Sequence, residues 1–136
     1  MTPDQFSKKM GRVASKIPEN ADKIVRKVAM AIDQTVVLAT PVDKGRARMN
    51  WIAALDTAAS ETTEAADPSG GAAIAQAAGV VAGYDGDVNQ EVHITNNLPY
   101  IGPLNDGSSR QAPAGFVQQA VRAGASAVRG AKILED

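Results

Sequence analysis

The sequence predicts an α+β fold with N-terminal helices, a small antiparallel sheet and a C-terminal helix. Three observations predict it. Apolar residues recur every three or four positions near the N-terminus and again after Pro113. Two short stretches between them alternate apolar with polar residues. Clusters of Pro and Gly separate the periodic segments. The chain has 136 residues, which fits one domain, 1–136, around one modest core.

The elements follow in order. In "TPDQ", Thr2 can cap a helix, Pro3 suits its first position and Gln5 completes a capping box. That helix runs to about Lys16, where "IPEN" interrupts it. Asn20 caps a second helix whose apolar stripe is Ile24, Val28, Ala31, Ile32, Val36 and Ala39, with Lys23, Arg26, Lys27 and Asp33 on the other side. It stops before Pro41, because the residue preceding a proline resists the helical region. "TPVDKGRARMNW" reads as a turn carrying three basic residues, Lys44, Arg46 and Arg48. The stretch that follows reads as a strand in which Trp51, Ala53 and Leu55 alternate with Asn50, Ile52 and Ala54, with a short helix as the alternative.

Next comes a stretch low in large apolar residues and rich in Ser, Thr, Ala and Gly. This composition marks a mobile insertion around 57–70. Asp67 and Pro68 open a small helix with a face of Ile74, Ala77, Ala78 and Val81, ending near Gly83. "YDGD" turns the chain. A second strand sets Val88, Gln90, Val92 and Ile94 against a wet face of Asn89, Glu91, His93 and Thr95. Pro113 opens the last helix, with a sparse stripe of Phe116, Val117, Ala120, Val121 and Val128.

Composition narrows the function. Of the apolar residues 25 are Ala, and only five residues are aromatic. Such a core is thin, so neighbouring subunits are expected to supply part of the stability. The absence of cysteine excludes disulfides, thiolate catalysis and thiolate metal sites. No apolar run approaches the roughly 20 residues that cross a bilayer, and the first residues lack a signal-peptide pattern. The expectation is a soluble protein, made in a cytoplasm and independent of membranes.

Charge is segregated along the chain. Residues 1–50 hold ten of the fourteen Lys and Arg, whereas residues 51–109 hold eight acids and no Lys or Arg. Opposite potentials steer and register an interface, so the pattern suits a dipolar subunit that meets other copies of itself.

Little in the sequence supports chemistry. His93 is the only histidine and reads as a surface residue. No carboxylates have metal-ligand spacing, and no Ser stands in a nucleophile and base arrangement. Gly70 and Gly71 precede a helix without the Lys of a phosphate-binding loop. No catalytic, cofactor-binding or metal-binding residue is expected, and the protein is not read as an enzyme. "DKGRAR" can touch phosphates, yet the chain is acidic overall and no aromatic interleaves its basic residues.

Two segments carry a resemblance. "ATPVDKGRARMNW" is followed some forty-five residues later by "NNLPYIGPLNDGSSRQAPAGFV". Together they resemble the neck, or tail-completion, proteins that join head to tail in long-tailed bacteriophages. The matching positions are Thr40, Pro41, Val42, Asp43, Gly45 and Arg46; Asn96, Asn97, Pro99 and Tyr100; Gly107, Ser108 and Ser109; and Pro113. "DPSGGAAIAQAAGVVAGY" resembles an insert seen in some members. Lys44 departs from the pattern, standing where Thr or Ser is expected.

The resemblance, which spans roughly residues 35–120, implies a structural virion protein in a ring at the head–tail joint, commonly a hexamer. It implies partners in the head connector or adaptor proteins and in the tail terminator or tail tube. DNA would pass through without sequence-specific binding, past a belt for which the eight acids of 51–109 are candidates. The alternatives are a tail terminator or minor tail protein, and a nucleic-acid-binding adaptor. Candidate contact residues are Asp43, Lys44, Arg46, Arg48 and Trp51 in the first segment. In the second they are Tyr100, Ile101, Leu104, Arg110 and Phe116. Some of these apolar residues are expected to cover the domain's own core and the others to anchor a partner.

Overall fold

A computed structural model describes residues 21–87 and 89–129. The expected first helix and the Asn20 cap lie outside the described residues. Seven elements follow: α1 (Ala21–Ala39), α2 (Arg46–Met49), β1 (Trp51–Leu55), α3 (Gly71–Val81), β2 (Val92–Asn96), α4 (Ile101–Asn105) and α5 (Phe116–Arg129). β1 and β2 pair antiparallel, with Trp51 opposite Asn96 and Leu55 opposite Val92. The fold is α+β, as the periodicities predict.

α1 is the central element. It packs along α5 and α3 and against the sheet. Its buried side chains are Ile24, Val25, Ala29, Ile32, Asp33, Val36 and Val37. The buried stripe is therefore turned from the expected one, with Val28, Ala31 and Ala39 only half-buried. Asp33, expected among the polar residues, is fully enclosed. α5 crosses α1 at Gly124, where an added Cβ would stand 2.7 Å from Ile32 Cα and 2.9 Å from the Ala31 carbonyl oxygen. Only a residue without a side chain permits that approach.

Trp51 fastens the sheet to the end of α1. Its indole is fully buried, and Nε1 donates to Thr40 Oγ1 at 2.8 Å, while that hydroxyl donates to the Val36 carbonyl at 2.6 Å. Trp51, Ala53, Val92 and Ile94 thus line the face turned to α1. The outer edge of β1 is closed by α3. The Ala53 N–H donates to Gln76 Oε1 at 3.0 Å, and Gln76 Nε2 donates to the Ala53 carbonyl at 2.9 Å.

β2 differs from the expected half-wet strand. All five residues from Val92 to Asn96 are buried. His93 is 5% exposed rather than a surface residue. Its Nε2 lies 3.2 Å from the Asp56 carbonyl oxygen and 3.3 Å from Glu91 Oε1. Both neighbours can accept, so a proton on Nε2 would satisfy them. Nδ1 is buried, with no partner among the described residues.

Several expected bounds shift: β2 begins at Val92, so Asn89, Gln90 and Glu91 precede the strand. The turn after Pro41 contains the short α2. α3 starts at Gly71 rather than at Pro68, yet the Asp67 carboxylate still accepts the Ala72 N–H of its first turn at 2.9 Å. The Ser69 hydroxyl and backbone N–H also donate to that carboxylate, and together these bonds hold it below the usual carboxylate range. α5 starts at Phe116, three residues beyond Pro113, and Asn105 secures its start. Asn105 Oδ1 accepts the Val117 N–H at 2.9 Å, and its carbonyl accepts the Gly115 N–H at 2.6 Å.

Candidate functional site

The two distinctive segments meet in space. Gln111 joins them through a reciprocal pair of bonds. The Val42 N–H donates to Gln111 Oε1 at 2.7 Å, and Gln111 Nε2 donates to the Val42 carbonyl at 2.6 Å. This is strand-like pairing made by one side chain across 69 residues of sequence. Beside it is a partly open cavity of about 340 Å³ lined by Pro41, Val42, Asp43, Lys44, Gly45, Arg46, Ala47, Tyr100, Leu104, Ser109 and Gln111. Its wall is mostly apolar, with Asp43, Lys44 and Arg46 supplying charge.

Five expected contact residues therefore converge here: Asp43, Lys44, Arg46, Tyr100 and Leu104. Tyr100 is 38% exposed, and Leu104 is half-buried. Lys44 and Asp43 are exposed. Arg110 is exposed next to the lining residues Ser109 and Gln111, and among the described residues no ion pair engages it.

Three others belong to the interior. Trp51, Ile101 and Phe116 are 0%, 5% and 2% exposed. Their side chains fill the core, so they are not surface anchors. Ile101 and Phe116 enter it because the loop folds into α4 and then turns at Gly107 and Gly115, both with positive φ, to bring Phe116 under α1.

Arg46 and Arg48 are committed within the chain rather than held ready for another subunit. Arg46 Nε donates to the Thr63 carbonyl at 3.0 Å, and Nη2 pairs with Glu64 at 2.9 Å. Arg48 donates to three carbonyls, Thr40 at 3.0 Å and Leu38 and Pro68 at 2.9 Å each. It joins the open end of α1 to the segment before α3. Lone pairs at the last turn of a helix need outside donors, and Arg48 meets two of them.

The 57–70 segment is tied down along its length. Asn50 Nδ2 donates to the Thr63 carbonyl at 3.0 Å, and the Thr63 N–H donates to Asn50 Oδ1 at 2.9 Å. Asn97 Nδ2 reaches the Ala59 carbonyl at 2.7 Å. The Asp67 N–H donates to the Gly45 carbonyl at 3.2 Å. Gly45 has φ 93°, and a Cβ there would strike the backbone of Asp67 and Pro68. The Gly of "DKGR" thus serves the turn and the close passage of the strap together.

Sequence reasoning missed Gln111, Asn50 and Gln76, each a side-chain amide that completes a distant backbone pair. Nothing in local sequence marks an amide for that role. Asn96 was within reach, because it stands in the quoted Asn-Asn motif. Its Nδ2 donates to the Ala47 carbonyl at 3.0 Å, and its Oδ1 accepts the Leu98 N–H.

Among the described residues no group of three or more His, Cys, Asp or Glu is placed to hold a metal ion. No described helix is long and apolar enough to cross a membrane. Among the described residues the cavity and its rim offer contact area and shape. No protein-family model, curated protein or solved structure matches the chain.

Proposed function

We propose that this chain is a structural virion protein that forms a ring at the head–tail joint of a long-tailed bacteriophage. In that ring it connects head connector proteins to the tail terminator or tube and lets DNA pass. The observation that carries the reading is the convergence of the two resembling segments. Thr40–Arg46 and Asn96–Pro113 lie far apart in sequence, yet the Gln111–Val42 pair locks them into one surface. The exposed members of that surface include Asp43, Lys44, Tyr100 and Arg110, an aromatic flanked by charges of both signs, which suits a protein interface. Arg46 and Arg48, the other members of a would-be phosphate patch, already have partners, which weakens the reading as a nucleic-acid adaptor.

The test is mass photometry across concentration, with and without the tail-terminator protein of the same phage genome. A closed multimer, or one that forms only with that partner, is expected. A persistent monomer that ignores the partner and binds DNA with steep salt dependence would overturn the reading.

A further inference from the structure

Asp33 stands in the middle of α1 with 0% exposure, and among the described residues neither carboxyl oxygen has a hydrogen-bond partner. An isolated buried charge is too costly to persist. The group therefore keeps its proton, or the structure around it opens to water.

Helical phase identifies what covers it. Asp33 is four residues from Val37 and seven from Arg26, so all three share one stripe of α1. The Val37 side chain lies 2.7 Å from where a Cβ on Gly70 would be, just before α3. The Arg26 guanidinium donates to the Tyr84 carbonyl at 2.6 Å, just after α3. α3 thus runs antiparallel to α1 over this stripe, and Asp33 lies beneath its middle. The side chains that α3 buries there are small: Ala73, Ala77 and Val81.

Among the described residues no charge answers Asp33. α3 carries no titratable side chain, and neither does β1. His93 of β2 alternates away from the face that Trp51 and Ile94 turn to α1. Arg122 of α5 is exposed. Arg46 and Arg48 of α2 are held by Glu64 and by carbonyls. On α1 itself Lys23 and Lys27 are exposed and Arg26 pairs with Asp22. Tyr84, Asp85 and Asp67 flank α3 beyond its ends. Burial alone accounts for the displaced titration of the carboxyl, pushed up to about 7.

We propose that α3 is a cover, hinged at the glycines on either side of it, that closes over the un-ionised carboxyl of Asp33 and is released when that carboxyl gives its proton to water. Gly70 precedes the helix, Gly71 is its first residue and Gly83 follows it. The remaining polar hold on its middle is the Gln76 pair with Ala53.

Amide hydrogen exchange on the full chain tests this between pH 5 and 9, with Asp33→Asn and Asp33→Leu in parallel. Hydroxide-catalysed exchange alone gives a plot of log rate against pH with a slope of about one. A cover whose opening ionises Asp33 adds about one more below the folded-state pKa, a further hundredfold or so between pH 5 and 7. In the wild type, α3 amides are expected to exchange faster than those of α1 and α5. Their slope should be about two up to about pH 7 and about one above it. Both variants should show a slope of about one throughout; Leu keeps the test sound if the Asn amide is itself poorly tolerated. A wild-type slope of about one for α3 below pH 7 would overturn the proposal. So would α3 amides exchanging in step with those of α1 and α5, because Asp33 would then ionise only on global unfolding.

Discussion

Asp33 shows how much one residue can weigh in a thin core. Its carboxyl is pushed from 3.8 up to about 7 by burial, so the folded state holds the proton more tightly than the unfolded chain. Below about pH 4 both states are protonated and there is no ionisation penalty. As pH rises from about 4 to 7 the unfolded chain ionises first, and stability falls. Above about 7 both are ionised and the loss is complete, about 4 kcal/mol by linkage. Asp33→Leu is therefore expected to raise the melting temperature more at pH 8 than at pH 4, where only the unpaired neutral carboxyl is removed, which thermal unfolding at the two pH values checks. Hydropathy alone puts an Asp on the wet side of a helix. Its phase, one turn from Val37, is what puts it inside, and that phase was legible once Val37 rather than Ala39 is taken as the stripe's edge. His93 was misread for a similar reason. Alternation along a strand identifies two faces, but it does not reveal that both are covered.

At the scale of elements, the strap and its clamps set the expectations. Arg48 closes three carbonyls on two separate segments. Arg48→Ala should destabilise by about 2 kcal/mol or more, since hydrogen bonds to a charged group are worth about 1.5–3 kcal/mol. Chemical denaturation measures this directly. Gly124→Leu should separate α5 from α1, because even a Cβ would press on the backbone of Ile32 at 2.7 Å. The expected loss is about 3 kcal/mol, at the upper end for overpacked sites. Helix and strand existence was legible in sequence: α1 ends before Pro41, and β1 runs over Trp51–Leu55, as expected. The start of α5 was not, since Asn105 rather than Pro113 organises it. A cap supplied from twelve residues away leaves no mark in a local window.

The whole molecule presents Lys44, Tyr100 and Arg110 outward while drawing Arg46 and Arg48 inward. Charge reversal at the two sets should therefore give different outcomes. Lys44→Glu with Arg110→Glu should leave the melting temperature within a few degrees and reduce multimer formation in light scattering. Arg46→Glu with Arg48→Glu should lower the melting temperature first, because each reversal places a carboxylate against carbonyl oxygens. The segregation of charge was legible from the sequence; which cations were already occupied was not, because their partners are backbone carbonyls in a strap without recognisable periodicity.

A two-stranded sheet leaves hydrogen-bonding edges that other chains can extend into fibrils. On β1 the guard is a single amide, Gln76, which holds both polar groups of Ala53. The small, β-prone "WIAAL" segment behind it has no charge and no proline, the composition of a cross-β seed. Protection against aggregation thus rests on a side chain that contributes little to the core. In Gln76→Ala the monomer would still fold, yet its solutions would become turbid and bind amyloid dyes at concentrations where the wild type stays clear.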